Sequence, residues 1–140
     1  MPLIHQFMMI EKESNIDFIE DWMDKIDVSD NLILYIKDSL KWMKVSCNDE
    51  MSSNNGLNYY GYSIIKGENI RKFKTIINCW IRLFQEAPEE FTLTGDFLSI
   101  EDRYEFNSYI KQEVLNQLEA LETMCKGALE RGSYILHNGI

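Results

Sequence analysis

The sequence predicts a mainly helical single domain over 1–140 with a minor β component: three or four helices around a central helix at 68–87, and a small two- or three-stranded sheet. Three observations lead there. The first is the stretch from Glu68 to Ala87, where Ile70, Phe73, Ile77, Trp80, Ile81 and Phe84 recur at three- and four-residue steps. On a helical wheel these six, with Ile76, Cys79 and Leu83, cover an arc of roughly 200°, which predicts a helix between other elements with Trp80 buried. Arg71, Lys74, Thr75, Asn78, Arg82 and Gln85 share the remaining polar stripe. The second observation is that helical periodicity preceded by a capping residue recurs at 14–44 and at 99–131. The third is a pair of runs rich in aromatic and β-branched residues, 59–65 and 91–94, each bounded by turn formers.

Taken in order, Leu3 to Ile10 is apolar and short, so a strand and a first helical turn fit it equally. Ser14 and Asp17 read as an N-cap with an acidic third position, opening an amphipathic helix to about Ile26. Phe18, Ile19, Trp22, Met23 and Ile26 share one face, and Asp17, Glu20, Asp21 and Asp24 line the other. A second cap at Ser29 or Asp30 begins a helix to about Lys44. With only Asp27 to Ser29 between them, the two helices form a hairpin. Ser46 to Asn58 is polar and reads as the main loop, and Tyr59 to Ile65 as a strand. Ala87-Pro88 stops the central helix. Phe91 to Thr94 is a short strand that pairs with Tyr60 to Ile65; if that pairing is parallel, the central helix is a right-handed crossover. Gly95-Asp96 is a turn. Ser99 and Asp102 then cap a last long helix to about Arg131, striped by Phe106, Ile110, Val114, Leu118, Leu121, Cys125 and Ala128, with Gly132 as its stop. Tyr134 to Leu136 adds a strand or packs as a tail. An all-helical bundle is the alternative architecture.

Composition bounds the function. The 140 residues are 45% hydrophobic with two prolines and seven glycines, as a packed domain requires. Fourteen basic against 23 acidic residues leave a charge of −9, which repels nucleic acid and anionic lipid and suits a basic protein partner. No apolar run approaches the ~20 residues that span a bilayer. Cys47, Cys79 and Cys125 lack metal-site or disulfide spacing, and no secretory signal precedes the domain, so a reducing cytoplasm is expected.

Catalytic, metal and cofactor patterns are missing. His5 and His137 stand at opposite ends of the chain, there are no Glu-x-x-His pairs, and Gly67 before Glu68 is no phosphate loop. Cys47 with a histidine is the one nucleophile pair to consider. It lies in a polar loop without nearby positive charge, where a thiol keeps its ordinary pKa. Cys79 and Cys125 fall on apolar helix faces and are expected as buried small hydrophobes. The binding feature is an acidic ridge, Asp17, Glu20, Asp21, Asp24, Asp27 and Asp30; Tyr59, Tyr60 and Tyr62 beside the polar loop are amphipathic anchors for the same or another interface. The expectation is a small acidic protein-binding or inhibitory domain, of which a toxin-neutralising immunity protein is an example. A small enzyme or ligand-binding domain with a site assembled from distant residues is the alternative.

Overall fold

The computed structural model describes residues 3–11, 25–46 and 53–140. Along the chain these form β1 (Ile4–Ile10), β2 (Ile26–Ser29), α1 (Asp30–Leu40), β3 (Lys44–Ser46), β4 (Ser53–Asn55), β5 (Tyr62–Ile65), α2 (Glu68–Phe84), β6 (Glu90–Leu98), β7 (Arg103–Ile110), α3 (Lys111–Arg131) and β8 (Tyr134–Asn138). Six strands make one antiparallel sheet in the order β2-β1-β8-β5-β3-β4, and β6 and β7 pair with each other. The fold is α+β, which corrects the expectation of a mainly helical domain with a small sheet.

Side-chain alternation gives the sheet two unlike faces. The register sets Phe7 opposite both Ile26 and His137, His5 opposite Val28, and Ser63 opposite His137. These residues, with Ile65 and Ile135, form the inner face. Its apolar members join α1, α2 and α3 in the main core, where the rings of Phe7 and Phe73 stack at 5.9 Å. Met8, Ile10 and Leu136 are buried on the opposite face, with Tyr62, Ile64 and Tyr134 beside them. Burial on both faces is why Phe7 to Ile10 reads as a continuous apolar run that leaves strand and helix undecided.

The central helix starts where its pattern predicts and ends at Phe84, three residues short of Ala87. Its buried arc is narrower than expected. Ile70, Phe73, Ile76, Ile77, Ile81 and Phe84 are buried, whereas Trp80 is half-buried and Cys79 and Leu83 are exposed. Trp80 leans on the core edge and donates its indole N–H to Ser39 Oγ at 2.8 Å.

Elsewhere the differences have two causes: short strands carry too few residues to show a period, and the longer strands of the β6–β7 hairpin have a spacing that also fits a helix face. Asp27 to Ser29, expected as the loop of a helical hairpin, belongs to β2, an edge strand on β1. The first helix of that hairpin lies outside the described residues up to position 24, and Ile26 is in strand. The helix after it begins at Asp30 as predicted but ends at Leu40. β3 starts at Lys44, where the helix was expected to end, and reaches the polar loop only at Ser46, while β4 lies within that loop. β5 pairs with β8 and β3 and not with 91–94, so α2 is no parallel crossover. Gly95-Asp96 is not a turn but part of β6, and 103–110 is strand β7, so the last helix begins at Lys111 and not after Ser99. Gly132 closes that helix in the left-handed region at φ 64°, as expected of a C-terminal stop. No helix among the described residues is long and apolar enough to cross a membrane.

Candidate functional site

Antiparallel pairing of β1 with β8 brings together two histidines that the sequence separates by 132 positions. A chain of buried polar groups results. Ser63 Oγ lies 3.2 Å from His137 Nδ1, His137 Nε2 lies 2.9 Å from His5 Nδ1, and His5 Nε2 lies 2.9 Å from Asp30 Oδ1. Tyr59 donates its hydroxyl to Asp30 Oδ2 at 2.9 Å, and the Asn58 amide donates to Ser63 Oγ at 2.8 Å. One proton arrangement satisfies the whole chain. The Asp30 carboxylate accepts, so His5 donates from Nε2 and accepts at Nδ1; His137 then donates from Nε2 and accepts the Ser63 hydroxyl at Nδ1. Burial, with the neighbouring His5 ring, pushes the His137 pKa down to about 3, which keeps that imidazole neutral as this arrangement needs. Loss of hydration and the bond to Asp30 push the Tyr59 phenol up to about 12, so it remains a donor.

The residue types suggest a serine–histidine–aspartate relay, yet the geometry supports bracing and not reaction. His137 accepts from Ser63 and His5 is held by Asp30, as in a relay, but a relay acts only where substrate reaches its hydroxyl. Ser63, His5 and His137 are all buried. The groups run in a line and do not surround a common point, and among the described residues no His, Cys, Asp or Glu cluster is arranged to hold a metal. The chain ties β1, β8, β5 and the first turn of α1 together.

The exposed chemistry lies on the β6–β7 hairpin. Thr94 faces Phe106 and Phe97 faces Tyr104 across the strands, and a bulge between these pairs sets Gly95 and Asp96 against Glu105. Phe91, Leu93 and Tyr109 point inward. The rings of Phe91 and Tyr109 extend an aromatic stack in which Trp80 meets Phe84, Phe84 meets Phe91 and Phe91 meets Tyr109 at 5.6, 5.7 and 5.6 Å. On the outer face Phe97, Tyr104, Phe106 and Ile110 are about half exposed or more, and Ile100 in the connecting turn is 99% exposed. From Glu89 to Ile110 there are six carboxylates against one arginine, Arg103.

Of the predicted acidic ridge, Asp17, Glu20, Asp21 and Asp24 lie outside the described residues. Asp27 is exposed on β2, where it accepts a long bond of 3.4 Å from Gln6. Asp30 points inward and is 7% exposed, its two oxygens taken by His5 and Tyr59. Tyr60 is exposed, and Tyr59 is half-buried and donates to Asp30 at the end of the buried chain. Cys47 lies outside the described residues. Cys79 is exposed, against expectation, while Cys125 is buried and its thiol is pushed up to about 12 by that burial. Comparison with protein-family models, with curated proteins and with solved structures finds no match to this chain.

Proposed function

We propose that the chain is a protein-binding domain of the inhibitory kind, and that it meets a basic partner protein through the outer face of the β6–β7 hairpin. The observation that carries this reading is the exposure of Phe97, Ile100, Tyr104, Phe106 and Ile110 on one projecting element among six carboxylates. Large aromatic side chains supply most of the energy of protein interfaces, and a surrounding acidic rim selects a partner of opposite charge and speeds its approach. The net charge of −9 acts in the same direction at longer range. An immunity factor that covers a basic toxin surface is a form of inhibitor such a face suits. The enzyme alternative would need a substrate to reach Ser63 and His137, both of which are fully buried.

The test is affinity capture from the source organism followed by binding kinetics with the recovered protein. Tyr104→Ser with Phe106→Ser should abolish capture without changing the thermal midpoint. Replacing Glu90, Glu101 and Asp102 by Gln or Asn should slow association and flatten its salt dependence, since steering charges act over a Debye length of about 10 Å at 0.1 M salt. The matching set at Glu20, Asp21 and Asp24 separates the hairpin from the ridge. If that set alone slows association, the ridge is the interface and the hairpin assignment is wrong.

A further inference from the structure

The two sheets end differently. The edge strands of the six-stranded sheet, β2 and β4, hold four and three residues, whereas β6 and β7, with nine and eight, are the longest strands described and are both edges of their own ribbon. Short edge strands deny a neighbouring chain anything to pair with, and the hairpin does without that protection.

The phase of the ladder fixes which groups the hairpin edges present. The Lys111 N–H donates to the Glu89 carbonyl at 2.8 Å, in the register that sets Glu90 opposite Ile110 and Thr94 opposite Phe106. Glu89 with Lys111, Phe91 with Tyr109 and Leu93 with Asn107 are therefore the pairs that exchange hydrogen bonds. The residues between them, Thr92 and Thr94 on β6 and Phe106 and Ser108 on β7, turn N–H and C=O outward. The Tyr104 carbonyl points the same way and accepts from the Arg103 guanidinium at 3.4 Å. Among the described residues, the main chains of Phe106 and Ser108 have no hydrogen-bond partner.

The two edges are not equivalent. β6 is broken by the bulge between Thr94 and Phe97 and preceded by Pro88, two devices that spoil an edge for pairing. β7 is regular from Tyr104 to Ile110, and its Tyr104, Phe106 and Ile110 side chains are exposed on the outer face. The open amides and the exposed rings thus belong to the same residues.

We infer that the basic partner adds an extended segment to the β7 edge, its main chain bonding to Phe106 and Ser108 and its apolar side chains lying beside Phe106 and Ile110. The inference rests on the reading of the hairpin as the face that meets a basic protein. An extended segment is the occupant because a strand offers donors and acceptors at the two-residue repeat at which this edge presents them. Its alternate residues fall on the other side of the ribbon, beside Glu105, where basic side chains suit. Six carboxylates against one arginine from Glu89 to Ile110 attract such a segment and repel a second copy of the hairpin.

The test has two arms. In binding kinetics with the recovered partner, Ser108→Pro removes an outward N–H that β6 does not use and should weaken binding at least tenfold. Ser108→Ala keeps that N–H, and Thr92→Pro makes the mirror change on β6, so each should weaken it less than twofold. The second arm uses the unaltered full chain, labelled with ¹⁵N, and so does not depend on proline being tolerated. Acetyl-Lys-Val-Lys-Val-Lys-Val amide should produce saturable shifts at the Phe106 and Ser108 amides with a midpoint in the millimolar range. N-methylation of its valines, whose N–H groups face β7 in an antiparallel pairing, should weaken it at least tenfold, and N-methylation of its lysines should not. The reverse pattern supports the same edge with a parallel segment. No saturable shift, equal binding of all three peptides, or shifts at Thr92 and Thr94 in place of Phe106 and Ser108 overturns the β7 edge. Partner binding lost on Tyr104→Ser with Phe106→Ser but kept in Ser108→Pro sinks strand addition alone. Peptide pairing at β7 with capture indifferent to every hairpin variant sinks the partner reading alone.

Discussion

His137 has both ring nitrogens engaged inside the protein, and this gives the fold a sensitivity to acid. In the unfolded chain its imidazole titrates near 6.5, and in the folded chain near 3. Between these values the unfolded state binds the extra proton. The stability contributed is therefore complete above about pH 6.5 and is lost as pH falls toward 3, amounting to a loss of about 2 kcal/mol by pH 5. Urea unfolding at pH 7 and pH 5 should show the midpoint falling in acid. His137→Gln should be less stable at pH 7 but should lose less between the two. A midpoint that falls equally in both proteins would assign the acid effect to other groups. Gly139 supports the same chain from behind. Its N–H donates to the Gly61 carbonyl at 2.8 Å, and an added Cβ would stand 2.2 Å from the Tyr59 carbonyl oxygen. Backbone cannot yield there as a flexible side chain would, so Gly139→Ala should displace the segment that carries Asn58 and Tyr59. A cost of about 1–3 kcal/mol, the usual range for overpacking, is expected in the same unfolding experiment.

At the scale of elements, α2 separates what a period can reveal from what it cannot. Its start and the inward placing of Phe73, Ile77 and Ile81 follow from apolar spacing alone, because seventeen residues sample nearly five turns. The depth of Trp80 does not follow, since it lies in the middle of the apolar arc between Ile76 and Phe73 and is nonetheless only half-buried, because depth depends on what the neighbouring elements cover. Phe73→Ala should thus cost about 3–5 kcal/mol, as loss of a fully buried ring does, and Trp80→Ala less. A Trp80 variant less stable than the Phe73 variant would show that the indole and its bond to Ser39 matter more than burial implies. The hairpin reads as helix in the sequence for a definite reason. Phe106 and Ile110 are four apart, which places them on one helix face, but an even spacing also places them on one strand face. Val114 continues the helical stripe in α3, so the period appears to begin at Phe106, five residues before the helix does. The candidate site was illegible for a different reason. Asp30 was visible as a cap and His5 and His137 as isolated residues, but their meeting depends on β1 pairing with β8, and nothing local encodes which strand pairs with which.

Across the whole molecule, the sheet and the hairpin are unequal in how they are held. β1 and β8 are central strands with neighbours on both sides, and their inner faces lie against the helices. The contact between them joins distant parts of the chain, so their ladder opens only when the domain unfolds. The hairpin shares no ladder with that sheet. A two-stranded ribbon is marginal in water without packing, and this one is anchored chiefly by Phe91, Leu93 and Tyr109 on its inner face, with no strand among the described residues paired to either long edge. Native-state hydrogen exchange should therefore resolve two levels of protection. Amides of Phe7 and Ile135 should exchange at rates set by global unfolding and should slow or quicken with every stabilising or destabilising change in the core. Amides of β6 and β7 should exchange at least tenfold faster by local opening and should respond little to Phe73→Ala. Partner binding to the outer face would add contacts to the hairpin alone, so protection should rise there before it rises in β1 or β8. Equal protection of hairpin and sheet in the free protein would make the hairpin part of the cooperative unit, and its response to a partner could then no longer be told from stabilisation of the whole domain.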